Sequence, residues 1–341
     1  MKSLLPALLA VPVATNSRPV PMNEFELIRR YFSRPAPSAV LGVGDDAAIL
    51  RPRAGYDLHI STDMLVSGRH FFPDTDPYRL GHKTLAVNLS DMAAMGAQPR
   101  WVTLSAALPS IEPTWVAAFA EGLFALADQF SVDVIGGDTT RGPLTFSVTI
   151  GGETPAGTAL RRDYAQIGDD IWVSGPLGLA AAGLAFLQGR LPQLPPDLQA
   201  QCVLALEQPM PRVAFGQALL ARGLAHAALD ISDGLLGDLQ HILQRSDCGA
   251  ELMLAAIPSL PWLTAQGALT RDYIVAGGDD YELCFTAPVS ARAAITALGE
   301  ELGLSPARIG RIVSGHSCRL IDESNKVIDC GKSGFDHFNT P

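Results

Sequence analysis

Apolar positions along the chain alternate between helical spacing and strand-like runs. Helical spacing extends over residues 24–32, 77–97 and 115–130, and the longer two are followed by segments rich in β-branched residues. The second half repeats this order, with short strands predicted at DIWVSG and ALDISDG and a helix after each. Alternating helices and strands of this kind predict an α/β or α+β layered fold and argue against a helix bundle or a β-sandwich.

Turn-forming residues collect near position 155, where the periodicity lapses in GGETPAGTALRR. We therefore predict two domains, residues 22–155 and 156–341. STDMLV in the first and DISDGL in the second form a weak internal repeat. Residues 1–21 carry a short apolar run broken by Pro6 and Pro12, which resembles a signal peptide only loosely. A disordered extension or an upstream start codon is the favoured interpretation of this segment.

The composition argues against several classes of function. The formal net charge is −10, which argues against a nucleic-acid partner. Lysine occurs only at positions 2, 83, 326 and 332, and no P-loop motif is present, so a phosphate site would depend on metal ions, arginine and backbone N–H groups. The five scattered cysteines lack any C-x-x-C spacing and favour reduced thiols in the cytoplasm. No apolar stretch is long enough to predict a membrane span.

Acidic and hydroxyl side chains recur in the sequence, and each is predicted to lie at the end of a strand or the start of a helix. Strand ends converge in layered folds, so we expect these side chains to gather around one cleft. Carboxylate and hydroxyl oxygens suit Mg²⁺, which usually takes only one or two protein carboxylates per ion. For any one of them a helix cap or turn is the better explanation, but the set indicates several Mg²⁺ ions that clamp phosphates. The set comprises Asp45, Asp46, Ser61, Thr62, Asp63, Asp91, Asp138, Asp230, Ser232 and Asp233.

Two of these segments carry further information. Asp91 falls inside the apolar helical pattern AVNLSDMAAMG, where a buried carboxylate without a partner would be costly, so a metal ion or a strong hydrogen-bond partner is expected. Asn88, one turn earlier, is placed to assist. In VIGGDTTRG two glycines before Asp138 allow a ligand close to the backbone, although a turn alone would explain them. VSGPLGLAAAG lacks the full G-x-G-x-x-G and is interpreted as a strand-to-helix turn.

The chain resembles the thiamine-monophosphate kinase family in seven segments that follow one another from Met22 nearly to the C-terminus. They are GVGDDAAIL, STDMLVSGRHF, KTLAVNLSDMAAMGAQP, IGGDTTRGP, DISDGLLGDL, GGDDYELCF and GFDHF. The resemblance implies the two-domain fold of the aminoimidazole ribonucleotide synthetase superfamily, with an N-terminal sheet that forms a barrel in a homodimer and a C-terminal α/β domain. It also implies Mg²⁺-dependent transfer of a phosphoryl group from ATP to thiamine monophosphate.

The resemblance further implies roles for individual residues. The Mg²⁺ ligands would be Asp46, Ser61, Thr62, Asp63, Asp91, Asp138, Asp230 and Asp233, of which Asp46, Asp91, Asp138 and Asp233 would act in catalysis through the metal. ATP would contact Gly137, Asp138, Arg162 and Ser232, and thiamine monophosphate would contact His70, Asp279 and Phe335. Ordinary packing is the alternative for Phe335 and His70. The family's GGED motif reads Gly-Gly-Asp-Asp here, which keeps the charge at Asp279 and shortens its reach.

The motif GDD occurs three times, and we expect three different roles. The first copy, ending at Asp45 and Asp46, is predicted to bind metal mainly through Asp46. The second, at Asp169 and Asp170, is predicted to be a turn that opens a strand. The third, which contains Asp279, is predicted to contact the substrate.

Two other functions fit the same residues. Another ATP-dependent synthetase of the superfamily is disfavoured by STDMLVSGRHF and GFDHF, and a non-catalytic dimer that binds Mg²⁺ and nucleotide is disfavoured because every acidic position is retained. No histidine or nucleophile constellation is evident. A phosphate acceptor needs none, because a phosphate monoester with a second pKa of about 6 is already ionised near neutral pH. We therefore expect direct in-line transfer without a phosphoenzyme.

Overall fold

The computed structural model of the chain describes residues 22–322, 324 and 326–328. Its first half contains a short helix, four strands and two long helices. In order they are α1 Glu24–Leu27 with a π-helical turn Ile28–Phe32, β1 Tyr56–Val66, α2 Pro77–Ala94, β2 Gln98–Leu108, α3 Pro113–Phe130, β3 Asp133–Arg141 and β4 Thr145–Pro155. The helix predicted over residues 24–32 is thus α-helical only to Leu27.

Seven strands and seven α-helices follow in the second half, as far as it is described. They are β5 Asp170–Val173, α4 Leu179–Leu187, α5 Pro196–Glu207, α6 Val213–Ala221, β6 Ala227–Asp230, α7 Leu235–Arg245, β7 Gly249–Met253, α8 Pro261–Ala265, α9 Ala268–Ala276, β8 Leu283–Ala287, α10 Arg292–Leu302, β9 Ala307–Val313, β10 Cys318–Ile321 and β11 Val327–Ile328. Short 3₁₀ turns lie at Leu254–Ala256 and Val289–Ala291. The predicted mixed α/β class is confirmed. None of the described helices is both long and apolar enough to cross a membrane.

The first sheet has the strand order β1-β4-β2-β3, so β1 and β3 form its two edges. Helices α2 and α3 cover one face, where Leu85, Leu89 and Phe119 are fully buried. Phe119 stacks on Phe146 of β4 with ring centroids 4.3 Å apart. The opposite face carries the exposed side chains of Leu58, Ile60 and Met64. We call it the outer face, and the helix-covered face the inner face.

Helix α2 has well-defined ends. Asp76 caps its start by accepting the backbone N–H of Arg79 at 3.0 Å, and Pro77 occupies the first turn. Gly96 follows its last turn with a φ of 67°, as predicted for a C-terminal glycine. These boundaries keep Lys83 and Asp91 on one continuous helix, roughly 12 Å apart along its axis.

The second sheet has the order β11-β10-β7-β9-β5-β8-β6, and β7–β10 is its one parallel pair among the described strands. Helix α6 packs on α2 where a Cβ at Gly216 would lie 2.0 Å from the carbonyl oxygen of Ala93. Arg212, just before α6, binds Glu282 through two contacts of 2.9 and 2.5 Å. Helix α2 is therefore held between the two sheets.

The prediction that each acidic residue lies at a strand end or helix start is wrong for three segments. Ser61–Asp63 lie in the middle of β1, Asp138 lies inside β3, and Asp91 lies near the end of α2. The polar residues of β1 do not end the strand, because β4 pairs with β1 along its whole length. Asp230 does end β6, and Asp233 lies two residues before α7, as expected.

The second GDD copy is part of the framework of the second half. Asp169 accepts the N–H of Gln166 at 2.9 Å, which makes the predicted turn, and it also contacts the ring of His226. Asp170 begins β5 and is buried in an ion pair with Arg292 at 2.5 Å. Both carboxylates are thus occupied by neighbouring groups of the same chain.

Candidate active site

Four carboxylates from β1, α2 and the loop after β6 influence one another electrostatically; Asp63, Asp91, Asp230 and Asp233 form what we call the acidic cluster. Burial and then the charges of Asp230 and Asp233 raise the pKa of Asp63 to about 6. Burial and then the charges of Asp230 and Asp63 raise the pKa of Asp91 to about 7. The cluster therefore holds more negative charge than the protein around it compensates.

Polar groups of β1 and α2 orient the first two members. The hydroxyl of Ser61 donates to Asp91 at 2.5 Å, which supplies the hydrogen-bond partner expected for a carboxylate in an apolar helix. Asn88 Oδ1 accepts the backbone N–H of Asp63 at 3.2 Å, and its Nδ2 donates to the carbonyl of Thr84. Ser61 and Asp63 thus share the inner face of the sheet with α2.

The other two carboxylates of the cluster, Asp230 and Asp233, lie at the end of β6 and in the loop after it. Asp230 is buried, and burial raises its pKa. The positive charge of Arg162 acts in the opposite direction on both Asp230 and Asp91. The neighbouring Arg161 instead forms an ion pair with Asp163 at 2.5 Å. Of the two adjacent arginines, Arg162 is therefore the one that acts on the acidic cluster.

Asp238, which the sequence analysis missed, holds the loop after β6 in place. Its Oδ2 atom accepts the backbone N–H groups of Ser232, Asp233 and Gly234, each at 3.0 Å. Burial raises its pKa to about 7, although these hydrogen bonds act in the opposite direction. The available signal was an acidic residue in the first turn of a helix, where a carboxylate can bind back to free N–H groups.

Three of the residues predicted to bind Mg²⁺ lie away from the acidic cluster in the structure of the single chain. Asp46 is exposed in the loop before β1, with its N–H bonded to Asp45 at 2.8 Å. Successive side chains of a strand point to opposite faces of the sheet, so Thr62 lies on the outer face while Ser61 and Asp63 lie on the inner face. The hydroxyl of Thr62 is 2.8 Å from that of Thr149. Asp138 is exposed on β3, at the sheet edge opposite β1. The expectation that all the acidic side chains meet in one cleft is not met within one chain.

No three His, Cys, Asp or Glu side chains in the described part of the chain converge closely enough to hold a metal ion by themselves. The acidic cluster is thus a set of neighbouring charges and not a closed protein cage. Such an arrangement is open to ions that take their remaining ligands from water or from a bound phosphate.

A cavity open to solvent, of about 550 Å³ including the space at its mouth, lies between the loop after β1 and helices α2, α4 and α5. Its lining combines aromatic, aliphatic and charged groups: Gly68, Arg69, His70, Phe71, Phe72, Thr75, Leu80, Lys83, Leu184, Gln188, Leu206, Glu207 and Asp279. His70 Nδ1 accepts the N–H of Val66 at 2.9 Å, so the proton of the neutral ring is on Nε2. Two of the predicted substrate contacts, His70 and Asp279, therefore line one cavity; Phe335 lies outside the described residues.

Lys83 and Asp279 form an ion pair of 3.0 Å at this cavity, with side chains 3% and 29% exposed. Asp279 also accepts the hydroxyl of Tyr281 at 3.2 Å. Both Asp279 and Tyr281 have left-handed backbone conformations, with φ of 65° and 50°, which are strained for residues with a Cβ. Packing of the neighbouring segments thus fixes the third GDD copy in an unusual shape.

Tyr281 connects the cavity to the acidic cluster. Burial raises its pKa well above the ordinary value, and the negative charges of Asp279, Asp63 and Asp230 raise it further. The phenol therefore stays protonated and can donate to Asp279. The end of the cavity at Asp279 is consequently the end nearest the acidic cluster, and we call it the inner end.

Comparison with known proteins covers both halves of this arrangement. Residues 44–154 match the family "AIR synthase related protein, N-terminal domain", and residues 166–323 match the corresponding C-terminal domain. The thiamine-monophosphate kinase of Escherichia coli K12 is 44% identical over 325 residues, which cover 94% of this chain and 99% of the relative. This chain belongs to the thiamine-monophosphate kinase family.

Solved structures of the family agree. The thiamine-monophosphate kinase of Stenotrophomonas maltophilia K279a is 49% identical, with a TM-score of 0.77 over 83% of this chain and 91% of that one. AaThiL complexed with AMPPCP and TMP is 29% identical, with a TM-score of 0.72 over 84% of this chain and 89% of that one. The strands, helix and loop that carry the acidic cluster in this chain lie within the residues that match the two family domains.

Proposed function

We propose that this protein transfers the γ-phosphoryl group of ATP to thiamine monophosphate, giving thiamine diphosphate and ADP. The observation that carries the proposal is the nearly full-length relationship to thiamine-monophosphate kinases, joined to an acidic cluster that lies beside a cavity. A related structure contains AMPPCP, an ATP analogue, together with TMP. Both substrates then have a place, with ATP at the acidic cluster and the thiamine rings in the cavity.

The acidic cluster fits Mg²⁺. Its carboxylates offer hard oxygen ligands, and burial first and mutual repulsion second raise their pKa values, a cost of the charged forms that a divalent cation would relieve. Asp63, Asp91, Asp230 and Asp233 would hold the ions together with phosphate oxygens, and Ser61 would keep Asp91 oriented. Bound Mg²⁺ would neutralise the phosphates and stabilise the charge that develops during transfer.

The chain's own residues would chiefly position the two anionic substrates. The acceptor phosphate is ionised near neutral pH, so no side chain has to remove a proton from it. Asp238 fixes the backbone of Ser232 and Asp233, and Arg162 adds positive charge beside Asp91 and Asp230. Alignment of two bound reactants is worth several orders of magnitude in rate, and we assign most of the catalysis to it.

The cavity suits the thiamine rings. Phe71 and Phe72 supply aromatic surface, and Asp279 supplies a negative charge that can face the cationic thiazolium. The hydrogen bond from Val66 to Nδ1 fixes the orientation of the His70 ring at the cavity wall. With the rings held here, the phosphate of the acceptor extends past the inner end toward the acidic cluster.

The outer face of the first sheet supports a homodimer. Leu58, Ile60 and Met64 are 49%, 62% and 57% exposed on β1, an edge strand of eleven residues. Long apolar edge strands are usually covered. If the sheets of two copies close into a barrel, β1 of one copy meets β3 of the other. Asp138, roughly 14 Å of sheet away from β1 in its own chain, would thereby lie on the strand next to the partner copy's β1.

The dimer is tested by Ile60→Lys, which places a charge in the proposed contact. Light scattering should report a dimer for the wild-type chain and a monomer for the variant. Ile167→Lys is the control, because Ile167 is 68% exposed outside both sheets and should leave the dimer intact. A wild-type monomer at micromolar concentration would refute the barrel. We also propose that the reaction takes place in the cytoplasm, because the thiols of Cys202, Cys248 and Cys284 form no disulfide.

The activity itself is tested with purified protein, ATP, Mg²⁺ and thiamine monophosphate, followed by chromatography for thiamine diphosphate. We expect one ADP for each thiamine diphosphate formed and no turnover when Mg²⁺ is chelated. ADP release with a different acceptor and not with thiamine monophosphate would point to another synthetase of the superfamily. Nucleotide binding without any turnover would point to a regulatory dimer.

A further inference from the structure

Lys83 is a buried cation whose presence the fold alone does not require. It lies on α2 among residues such as Leu80 and Val87 that pack in the core, and its side chain is 3% exposed. Removing an ammonium group from water is strongly unfavourable unless other charges compensate. An apolar side chain would fill this position of the helix without that penalty. The chain therefore keeps a positive charge at this place, on the wall of the cavity.

The protein partners of Lys83 leave part of its hydrogen-bonding capacity for a ligand. Its Nζ atom is 3.0 Å from Asp279 Oδ1 and 3.4 Å from the carbonyl oxygen of His70. An ammonium group has three N–H donors, and these two contacts engage at most two of them. Because Asp279 and His70 both line the cavity, the ammonium is located where an acceptor bound there would reach it.

The position of Lys83 along α2 indicates which part of the acceptor it would bind. Lys83 stands on the same helix as Asp91, and the backbone N–H of its partner Asp279 donates to the carbonyl of Ser232, next to Asp233 of the acidic cluster, at 2.8 Å. Lys83 therefore marks the inner end of the cavity. The acceptor must direct its phosphate toward that end to reach the γ-phosphoryl group.

The charges of the pair match those of the acceptor. Thiamine monophosphate carries a cationic thiazolium and an anionic phosphate, and the inner end presents one carboxylate and one ammonium. We propose that Lys83 receives the phosphate of the acceptor and thereby makes the protein prefer thiamine monophosphate to unphosphorylated thiamine. This inference rests on the proposed function. It adds a cation from the protein to a site where two phosphates must approach each other.

The test compares binding of thiamine monophosphate and thiamine to the full chain by calorimetry, with Mg²⁺ and AMPPCP at saturation. In Lys83→Met we expect thiamine monophosphate to bind about 10- to 100-fold more weakly, the loss for a charge-assisted hydrogen bond, with thiamine binding unchanged. Arg79→Met is the matched control. It removes a cation from the same helix that pairs at 2.7 Å with Glu207, another lining residue, and should leave the preference intact.

A purely structural role gives a different result. If Lys83 only neutralises Asp279, both ligands will lose affinity together in Lys83→Met, and adding Asp279→Asn will restore them; either outcome overturns the inference. If Lys83→Met does not fold, Lys83→Arg serves as the second variant, because it keeps the positive charge and should retain the preference for thiamine monophosphate. A folded Lys83→Arg protein that has lost this preference also overturns the inference. Failure of the proposed function is separate, because wild-type protein would then make no thiamine diphosphate.

Discussion

The acidic cluster and the inner end of the cavity differ in their balance of charge: the first collects negative charges, and the second pairs a negative with a positive charge. In the cluster, half-buried and buried carboxylates influence one another, and the pKa values of Asp63 and Asp91 rise to about 6 and 7. At the inner end, a single carboxylate meets an ammonium group at 3.0 Å. A region left short of positive charge suits a ligand that brings cations, whereas a balanced pair suits a ligand that carries both signs. The two regions together therefore support the proposed binding of a metal-nucleotide complex beside a zwitterionic acceptor.

The largest difference between the regions should appear in Asp91→Asn. Loss of this charge should lower kcat on the order of 10³-fold, because metal-assisted charge stabilisation is lost. The same change relieves repulsion, so the thermal midpoint of the metal-free protein should stay equal or rise. Activity assays and thermal unfolding of one preparation measure both. Near-normal turnover with Mg²⁺ would contradict the assignment of the cluster to metal binding.

Asp238→Ala should have the next largest effect, because it frees three backbone N–H groups at the loop that carries Ser232 and Asp233. We expect a loss of about 3 kcal/mol in the free energy of unfolding and a fall in kcat/KM for ATP of about 10- to 100-fold. The affinity of the metal-free protein for thiamine should change little. Asp238→Asn keeps an acceptor oxygen and is the matched control. An equal loss for ATP and for thiamine would mean that Asp238 stabilises the whole protein and not this loop in particular.

The third prediction concerns pH. A carboxyl whose pKa is higher in the folded protein than its ordinary value of 3.8 binds protons more tightly when folded. Its contribution favours folding at low pH and is lost as the pH rises toward about 7. Without metal, the thermal midpoint of Asp91→Asn relative to wild type should therefore increase between pH 5 and pH 8. Saturating Mg²⁺ and AMPPCP should remove this trend, and a constant difference would contradict it.

The smallest effect is expected at the cavity, in Asp279→Glu, which installs the residue of the family's GGED motif. The charge facing Lys83 and Tyr281 is kept, and one methylene is added in a backbone region already fixed in a left-handed conformation. We expect less than about a 3-fold change in kcat/KM for thiamine monophosphate. A change above 10-fold would show that the reach of this carboxylate, and not only its charge, determines acceptor binding.

Local sequence patterns were sufficient for the elements and for part of the cluster. Helical spacing and the Asp76 and Gly96 boundaries define α2, and so place Asp91 in an apolar helix. The α/β alternation gave the class of fold. Asp230 and Asp233 follow an apolar strand and precede a helix, so their position at a strand end was predictable.

Long-range pairing decided the rest. The order β1-β4-β2-β3 puts Asp138 at the far edge from Asp63, and nothing in the local sequence of β3 reveals which strands lie between. The alternation of side chains along a strand does imply that Thr62 and Asp63 face opposite ways, but the strand first has to be recognised as continuous. Lys83 and Asp279 meet only through the packing of the two halves, so a single lysine in an apolar helix was the one local signal.

The turn between β5 and α4 shows how a chain can close one of its own phosphate sites. Asp280 is half-buried, and both of its carboxylate oxygens lie 3.0 Å from the backbone nitrogen of Gly178, which stands at the N-terminus of α4 with a φ of 84°. In dinucleotide-binding proteins the equivalent helix end holds a pyrophosphate. Here a carboxyl group of the protein itself accepts the N–H at this helix end. A nucleotide that approaches the second half thus finds this helix end already taken.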